Sequence, residues 1–600
     1  MKSDWVGILV GAMAMASAVP ACAGDIIPPK VLATTPSGIN VIDAAYQYSV
    51  TDLSIGPLTL NRFHVPGKLK PNNPLIGTNM SHNFDIYVAS NDIRKAPYKI
   101  SPVVHIGQSA SGTYDQISGS LSYVGPSNDD AVRSGTLAWN GGNTWTSGYY
   151  IYTDREGIIY TFTNAVQAGT NYNSERVAQI AFPDGRTQTF SYNAGGQLKL
   201  VSDSSGYAIV FDYNAGGETS AACGFDLAQT YVTATSTCVG AALKVSYGYD
   251  TNNNLTSVTA VDGQVTTYPG NTRNSITCIQ PPGYSACKVS IVYTTFPGYT
   301  AAAQTLADGS TWQVAGGVPE VVNDPEYNNV TDGDTIASFT DPAGKTTSFT
   351  FTKSSPRTIT DPDGRMTTYT YVGGLSYTYT GSIIYHEGTM LIEADMPEGN
   401  KYLAEYNGPN FSLSKETAVA KPGSGLSSLV KQYGYTCPGY TFTGSCTKPT
   451  SIIDPKGNET DFTYATWGGV LSEMQPAPSA GAARPLKLYT YVQMTAYVKN
   501  SGGTLVSTGV PIWMPSTVTQ CQTVAGSSTA ACDTAAGAPR LQTTYQYVTG
   551  AVANNLLVRG TEVKDLVTGT ARLSCVTYDS IGRKISETSP RGNTSISVCP

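Results

Sequence analysis

The sequence predicts an all-β protein, an array of short antiparallel strands joined by tight turns. Three observations carry that expectation. Turns ending in glycine recur with aromatic residues at fixed distances behind them. No long apolar stretch with a 3.6-residue period stands out, so helix should be scarce. Only 13% of the 600 residues are charged, against 61 glycines and 39 tyrosines, which suits many short strands with tight connections.

Counted from the turn glycine, positions +5 and +7 are aromatic after Gly185 (Phe190, Tyr192), Gly206 (Phe211, Tyr213), Gly344 (Phe349, Phe351), Gly364 (Tyr369, Tyr371) and Gly457 (Phe462, Tyr464). Gly157 keeps the +5 aromatic, Phe162, and Gly399 the +7 aromatic, Tyr406. Residues two apart share one face of a strand, so each pair forms part of a stripe. Asp341-Pro342-Ala343-Gly344, Asp361-Pro362-Asp363-Gly364 and Asp454-Pro455-Lys456-Gly457 fit type I turns. In each, Asp bonds the backbone ahead, Pro has its φ preset, and Gly accepts the positive φ that re-enters a strand. Asp184 with Gly185 and Asp203 with Gly206 mark two further turns. A longer unit runs from Tyr192 through Gly196, Leu198 and Val201 to Gly206, from Tyr249 through Asn253, Leu255 and Val258 to Gly263, and from Tyr578 through Gly582 and Lys584 to Gly592. Glycines 21 residues apart (Gly185, Gly206) or 20 apart (Gly344, Gly364) leave room for two short strands and two turns per unit. Such internal repetition marks a scaffold more often than a catalytic site.

In the stretches "YNAGGQLKLVSDSSG", "YDTNNNLTSVTAVDG", "ITDPDGRMTTYTY" and "YDSIGRKISETSPRG" the chain resembles the YD-repeat (RHS) family, over about residues 150–600. "TDLSIGPLTLNRF" (51–63) and "SHNFDIYV" (81–88) resemble the strands that open such proteins, although Asn79 and Met80 stand where the family usually has a tryptophan near the histidine. The resemblance implies a curved, spiralling β-sheet shell. In many members that shell encloses a variable C-terminal toxin, released after self-cleavage at the end of the repeat core. Other members act at the cell surface. The family's closing motif is not evident, and the chain stops at Cys599-Pro600 inside what reads as another unit. A fragment or a short member is therefore expected, no self-cleavage residue is assigned, and the enclosed toxin domain would be a partner not present in this chain. A ribbon cut there would leave unpaired backbone groups and associate readily.

The expected organisation is a signal peptide at 1–23, a β-rich opening region at 24–150, and the repeat array at 151–600. Interruptions are expected at about 214–246, 270–290, 410–450 and 474–540, with 474–485 the foremost loop or linker. Lys2, an apolar run over 6–19 and Ala21-Cys22-Ala23 fit a signal peptide cut before Gly24. The run is shorter than the ~20 residues of a transmembrane helix, so no transmembrane segment should remain after cleavage. Cys22 as a lipoprotein cysteine is the alternative, against which Pro20 stands. The protein should be secreted, periplasmic or at the cell surface.

Ten cysteines remain after cleavage, in sequential neighbours: Cys223 and Cys238, Cys278 and Cys287, Cys437 and Cys446, Cys521 and Cys532, Cys575 and Cys599. The first four pairs bracket Gly/Ser/Thr/Ala-rich insertions, and closing such loops would contribute about 3 kcal/mol each. The fifth pair would change if the chain were truncated. Zinc is the rival reading, but no CxxC knuckle occurs, and disulfides fit an oxidising compartment.

Candidate chemistry is sparse. His64, His82, His105 and His386 form no metal spacing, and His82 reads as a sheet-packing residue. There is no GxSxG elbow or P-loop. The turn aspartates invite a carboxylate-pair reading for glycoside hydrolysis, but their regular recurrence favours turn capping. Asp332-Gly333-Asp334 could line a calcium loop, or be a solvated turn. A net charge of −7 without a basic tract argues against nucleic acid. The tyrosine stripes either bind sugars and partner strands or glue neighbouring strands, and their presence in every unit favours glue. The sequence is thus read as a non-enzymatic secreted or cell-surface scaffold without cofactor or metal, the shell segment of a polymorphic toxin of intercellular competition. The alternative is a cell-surface module that binds carbohydrate or mediates adhesion, with glycans as partners; a β-helical carbohydrate-active enzyme ranks third.

If the turn reading is right, Gly364→Val should lower stability by on the order of 1–3 kcal/mol, because a β-branched residue resists positive φ. A denaturant midpoint that does not move would discard the turn assignment.

Overall fold

The computed structural model describes residues 26–29, 34–35, 38–41, 44–64, 76–90, 102–107, 109–110, 115–116, 122–124, 135–140, 148–163, 174–272, 275–294, 301–316, 335–352, 355–372, 375–377, 383–385, 390–407, 412–436, 443–589 and 598–599. The predicted signal peptide lies outside them. The described residues hold strands and turns and no helix.

Two large antiparallel sheets dominate, of 16 and 21 strands. In each, strands that follow one another in sequence are mostly neighbours in space, as expected when every connection is a short hairpin. Two hairpins, Leu375–Tyr377 with Ile383–Tyr385 and Tyr497–Lys499 with Leu505–Ser507, stand apart from the ladder. Met366–Val372 therefore pairs directly with Met390–Asp395, and Pro485–Met494 with Ile512–Gln522.

The ribbon is less continuous than the sequence suggests. Among the described residues, Val265–Thr267 and Cys278–Ile279 are joined by an isolated bridge, Thr267 to Gln280, and not by a paired ladder. The chain leaves the ladder there to bury Tyr268, Asn271 and Ile276. The expected interruption at 474–540 is also corrected. Residues 475–484 are irregular, but beyond them lie two strands of 10 and 11 residues in one antiparallel pair. Pro515 sits within that pair where the register shifts, opposite Tyr491, a bulge being one of the few places a sheet accepts proline.

Each turn is built as its residues dictate. In the 361–364 turn the Gly364 amide donates to the Asp361 carbonyl at 2.9 Å and the Asp361 amide to that of Arg365 at 2.9 Å. Asp361 Oδ1 accepts the amides of Asp363 and Arg365 at 3.0 and 2.9 Å. Gly364 has φ +79° with nothing near a would-be Cβ, so backbone conformation alone demands glycine.

The repeat contains a second device. In the pairing of Thr187–Tyr192 with Leu198–Asp203, Ser191 opposes Leu200 but Tyr192 opposes Leu198, so Lys199 is an extra residue. The same step recurs at Phe162/Val177, Tyr213/Thr219, Tyr371/Leu391, Tyr464/Val470 and Tyr491/Pro515. The carbonyl at each step is met by the tyrosine of a later strand. Tyr192 Oη donates to Val177 O at 2.7 Å, Tyr213 to Leu198 at 2.6 Å, Tyr249 to Thr219 at 2.5 Å and Tyr406 to Leu391 at 3.1 Å. Tyr491 donates to Val470 at 2.8 Å and Tyr547 to Pro515 at 2.9 Å. The +7 aromatic thus both marks one bulge and satisfies another.

The curved ribbon returns to itself. Contacts between residues 270 to 347 positions apart join the turns of the first sheet to later strands. Lys499 Nζ reaches Gln229 O at 2.6 Å, Asn554 Nδ2 reaches Asp226 Oδ2 at 2.7 Å, and Tyr207 Oη lies 3.5 Å from Asn554 Oδ1. The Trp513 amide donates to the Asp184 carbonyl at 2.8 Å.

Tyr213→Phe removes only the hydroxyl and strands the half-buried Leu198 carbonyl. It should lower stability by about 1–2 kcal/mol in urea unfolding. An unchanged midpoint would show that water replaces the tyrosine at no cost.

Candidate functional site

The stripe of +5 and +7 aromatics makes one face of the ribbon, and its surroundings change along the chain. In the first sheet the face is covered by the N-terminal strands Ser49–Ile55, Leu58–His64 and Met80–His82, which contribute Leu53, Ile55, Leu58, Leu60 and Met80 to the main core. His82 stacks on Phe211 at 5.3 Å, and Phe84 meets Phe190 edge-on at 6.2 Å. A side chain at Gly56 would strike the Tyr207 ring, and one at Gly224 would press on Ile55.

A buried ion pair fixes that cover. Arg62, 1% exposed, donates to both carboxylate oxygens of Asp52 at 2.9 and 3.1 Å and to Tyr268 Oη at 3.1 Å. Its guanidinium lies over the rings of Tyr48 and Tyr268, 5.8 and 5.4 Å from their centroids. Tyr247 Oη donates to Asp52 at 2.8 Å. A buried pair gains little over apolar packing, but losing either partner leaves a bare charge, so it penalises every other placement of the cover. Sequence reading missed this knot because its partners lie as far as 206 residues apart; the arginine amid the apolar alternation of 58–63 is the only signal.

In the second sheet Tyr369 and Tyr402 are buried in a cluster with Ile26. Glu416 accepts from Tyr402 Oη at 2.7 Å and from Tyr433 Oη at 2.6 Å. Beyond that point the face is half-buried at Tyr433, Phe462, Tyr464, Tyr489, Tyr491, Tyr545, Tyr547 and Tyr578. Charged groups flank these rings: Glu473 accepts from Tyr489 at 3.2 Å, and Lys431, Lys448 and Arg559 lie over Tyr433, Tyr464 and Tyr578. Trp467 and Trp513 stack at 5.9 Å beside Tyr491. The surface offers apolar ring faces with polar rims.

The other candidate residues are placed as follows. Cys223 is bonded to Cys238, Cys278 to Cys287, Cys521 to Cys532 and Cys575 to Cys599, with Cα separations of 5.6, 5.4, 5.6 and 5.4 Å. Cys446 is disulfide-bonded, while Cys437 lies outside the described residues, as do Cys22, His386 and 332–334. Gly185, Gly206, Gly344, Gly364 and Gly457 all have φ between +79° and +100°. The turn aspartates are engaged locally. Asp341 Oδ1 accepts the amides of Ala343 and Lys345, Asp454 Oδ1 those of Lys456 and Asn458, and Asp184 Oδ1 that of Arg186. Asp203, buried, takes the Ser205 amide on one oxygen and Arg186 and Gln188 on the other. The Arg365 amide and guanidinium hold Asp361 below the ordinary carboxylate range. His64 Nδ1 lies 2.9 Å from Tyr46 O, and His105 stacks on Tyr87 at 4.4 Å. Among the described residues no three His, Cys, Asp or Glu side chains gather in a way that could hold a metal ion, and no helix is long and apolar enough to cross a membrane.

One further carboxyl escaped the sequence reading. Glu175 is buried on the strand Ser174–Ala181, where that strand pairs with both Ile159–Thr163 and Ile86–Ser90. Burial pushes its carboxyl up to about 7, partly offset by the Tyr150 amide donating to it at 3.3 Å.

No protein-family model matches the chain, and no curated protein matches it. Solved structures do. Over 86% of its length the chain is similar to a chain of the Photorhabdus luminescens Tc holotoxin pore, with 9% identity and a TM-score of 0.32. Over 85% it is similar to the TcdB2-TccC3 complex without its hypervariable C-terminal region, with 10% identity and a TM-score of 0.31. The chain spans 27% and 26% of those two chains. Over 45% it is similar to the N-terminal domain of the effector SpvB from Salmonella typhimurium strain LT2, of which it covers 94%, with 12% identity and a TM-score of 0.19. The strand pairings, rather than these likenesses, define the fold.

Glu175 gives a pH-dependent test. Its folded-state pKa lies above the unfolded value of about 4.5, so the unfolded chain ionises first and stability falls as pH rises from about 4.5 to about 7. Glu175→Gln removes that loss and should be the more stable form at pH 8, by on the order of 1–2 kcal/mol, with the gap closing towards pH 5. A gap that does not change with pH would show that Glu175 is not the titrating group.

Proposed function

We propose that this chain is a non-enzymatic extracellular scaffold whose aromatic face holds a polypeptide partner, as a shell segment of a toxin used between cells. The observation that carries this reading is the change in cover along one face. The chain's own N-terminal strands bury Phe190, Phe211 and Tyr247 of the stripe, with Tyr192 and Tyr213 half-buried between them, whereas from Tyr433 to Tyr578 the described aromatics of the same stripe are all half-buried. Tyrosine rings joined to polar tips grip extended chains with little dependence on sequence. The aspartates that might serve acid–base chemistry are spent on turn amides, and the disulfides suit an oxidising compartment outside the cytosol. A second reading, a surface module for glycans, rests on the Glu473 carboxylate beside the half-buried Tyr489, a combination that also suits sugars.

Reduced, carboxymethylated α-lactalbumin, a permanently unfolded polypeptide, is a suitable probe. The chain should bind it, and Tyr489→Ser with Tyr545→Ser should weaken binding at least about tenfold, as expected when anchoring aromatics are lost. Binding of oligosaccharides on a glycan array, with none of the polypeptide, would favour the second reading; binding of neither would discard both.

A further inference from the structure

An open cavity of about 450 Å³ lies at the edge of the second sheet, lined by Gln520, Gln522, Arg540, Leu541, Asp565 and Val567 among others. The ladder brings these residues together. Gln520 stands opposite Leu541, and Leu541 opposite Asp565. Three neighbouring strands, Ile512–Gln522, Leu541–Gln546 and Gly560–Asp565, thus set the three residues side by side. Gln522, two residues from Gln520, shares its face. The Cys521–Cys532 disulfide ties the loop that follows to the sheet. That loop returns through Gly537 and Pro539, which also line the cavity. The Leu566 amide pins its end by donating to the Arg540 carbonyl at 2.9 Å.

Two opposite charges line this cavity without meeting. Among the described residues the Arg540 guanidinium has no hydrogen-bond or ion-pair partner, although its Nε is buried. A buried donor left unpaired costs stability. Asp565 does not supply the missing partner. Its Oδ1 accepts the Val567 and Thr568 amides at 2.8 and 3.3 Å, and these amides hold its carboxyl below the ordinary carboxylate range. It is therefore ionised at neutral pH. A lone anion in the cavity would face Asp565, and a lone cation Arg540. A ligand that carries both charges satisfies both. Leu541 and Val567 are exposed and give the cavity apolar surface, while the amides of Gln520 and Gln522 can donate and accept.

We propose that the cavity binds a small aliphatic zwitterion of the amino-acid type, with its carboxylate on Arg540, its ammonium on Asp565 and its side chain against Leu541 and Val567. The planar guanidinium presents N–H donors in a fork that matches a carboxylate. The volume falls within the roughly 300–1,000 Å³ of small-molecule sites. A free amino acid and a dipeptide carry the same two end groups and differ in the spacing between them. This inference rests on the cavity and not on the enclosure reading, whose test residues, Tyr489 and Tyr545, do not line it.

Isothermal titration calorimetry of the whole, disulfide-intact protein with leucine and with leucyl-leucine should show binding of at least one below about 10 mM, the weak range expected of so small a contact. The tighter of the two fixes the spacing of the charges. The N-acetylated form of that ligand lacks the ammonium, and its C-terminal amide lacks the carboxylate. Each should bind at least about tenfold more weakly, the scale of a hydrogen bond to a charged group. Arg540→Gln should weaken the zwitterion by a similar factor and keep the wild-type thermal midpoint, because the guanidinium has no partner to lose among the described residues. Should that variant fail to fold, the comparison of the zwitterion with its two blocked forms on the wild-type protein decides alone. No binding of either zwitterion at about 10 mM, blocked forms that bind as tightly, or a folded Arg540→Gln that binds as tightly would each overturn the proposal.

Discussion

Everything in this fold follows from one hydrogen bond repeated: a tyrosine hydroxyl closing on the carbonyl at a β-bulge. A bulge bends a strand and adds twist but disturbs the ladder. In a half-buried sheet, a disturbed carbonyl costs stability unless something meets it. Tyr213 meets Leu198, the residue opposite Tyr192, and Tyr192 meets Val177, the residue opposite Phe162. Each repeat is thereby completed by a later one. Bulges that recur on successive hairpins give the ribbon its coiling, and coiling sets turn 182–185 against Trp513.

A one-layer ribbon must also hide a face. In the first sheet this falls to the N-terminal strands, placed by the Asp52–Arg62 pair and its ring of tyrosines. Apolar packing alone would tolerate a shifted cover, since leucine and isoleucine pack against many ring arrangements. The bidentate pair does not, because a slip of one residue turns Arg62 to the other face of its strand. The departure of the chain from the ladder at 268–277 belongs to the same requirement, for it delivers the Tyr268 hydroxyl to Arg62.

What could be read from sequence is what is local. The Asp361 carboxylate and the amides that it holds lie within four residues, and Cys223 and Cys238 are only 15 apart. Turn and staple therefore leave their mark in consecutive letters. The stripe was legible as a period of two, but not the register step beside Tyr192, because the extra residue, Lys199, sits on the partner strand. The seam at Asp184 joins residues hundreds of positions apart and has no local signature, and of the knot only Arg62 amid apolar residues shows, because Tyr268 lies 206 positions away. Composition misled at 474–540, where a run of Pro and Ala drew attention from the alternation of Leu486, Leu488 and Thr490 that follows it.

The same glycine serves two purposes in this repeat, and the difference locates the seam. At Gly364 the demand is for positive φ alone, with open space beyond. At Gly185 the φ of +91° is joined by the Pro511 carbonyl, which stands where a Cβ would sit. An asparagine, which tolerates the left-handed region, would satisfy the first position and not the second. One turn sequence, copied along the chain, thus becomes an interface wherever the coil brings a neighbour to it and an exposed edge wherever it does not. The seam is written in the curvature, and only the turns are written in the repeat.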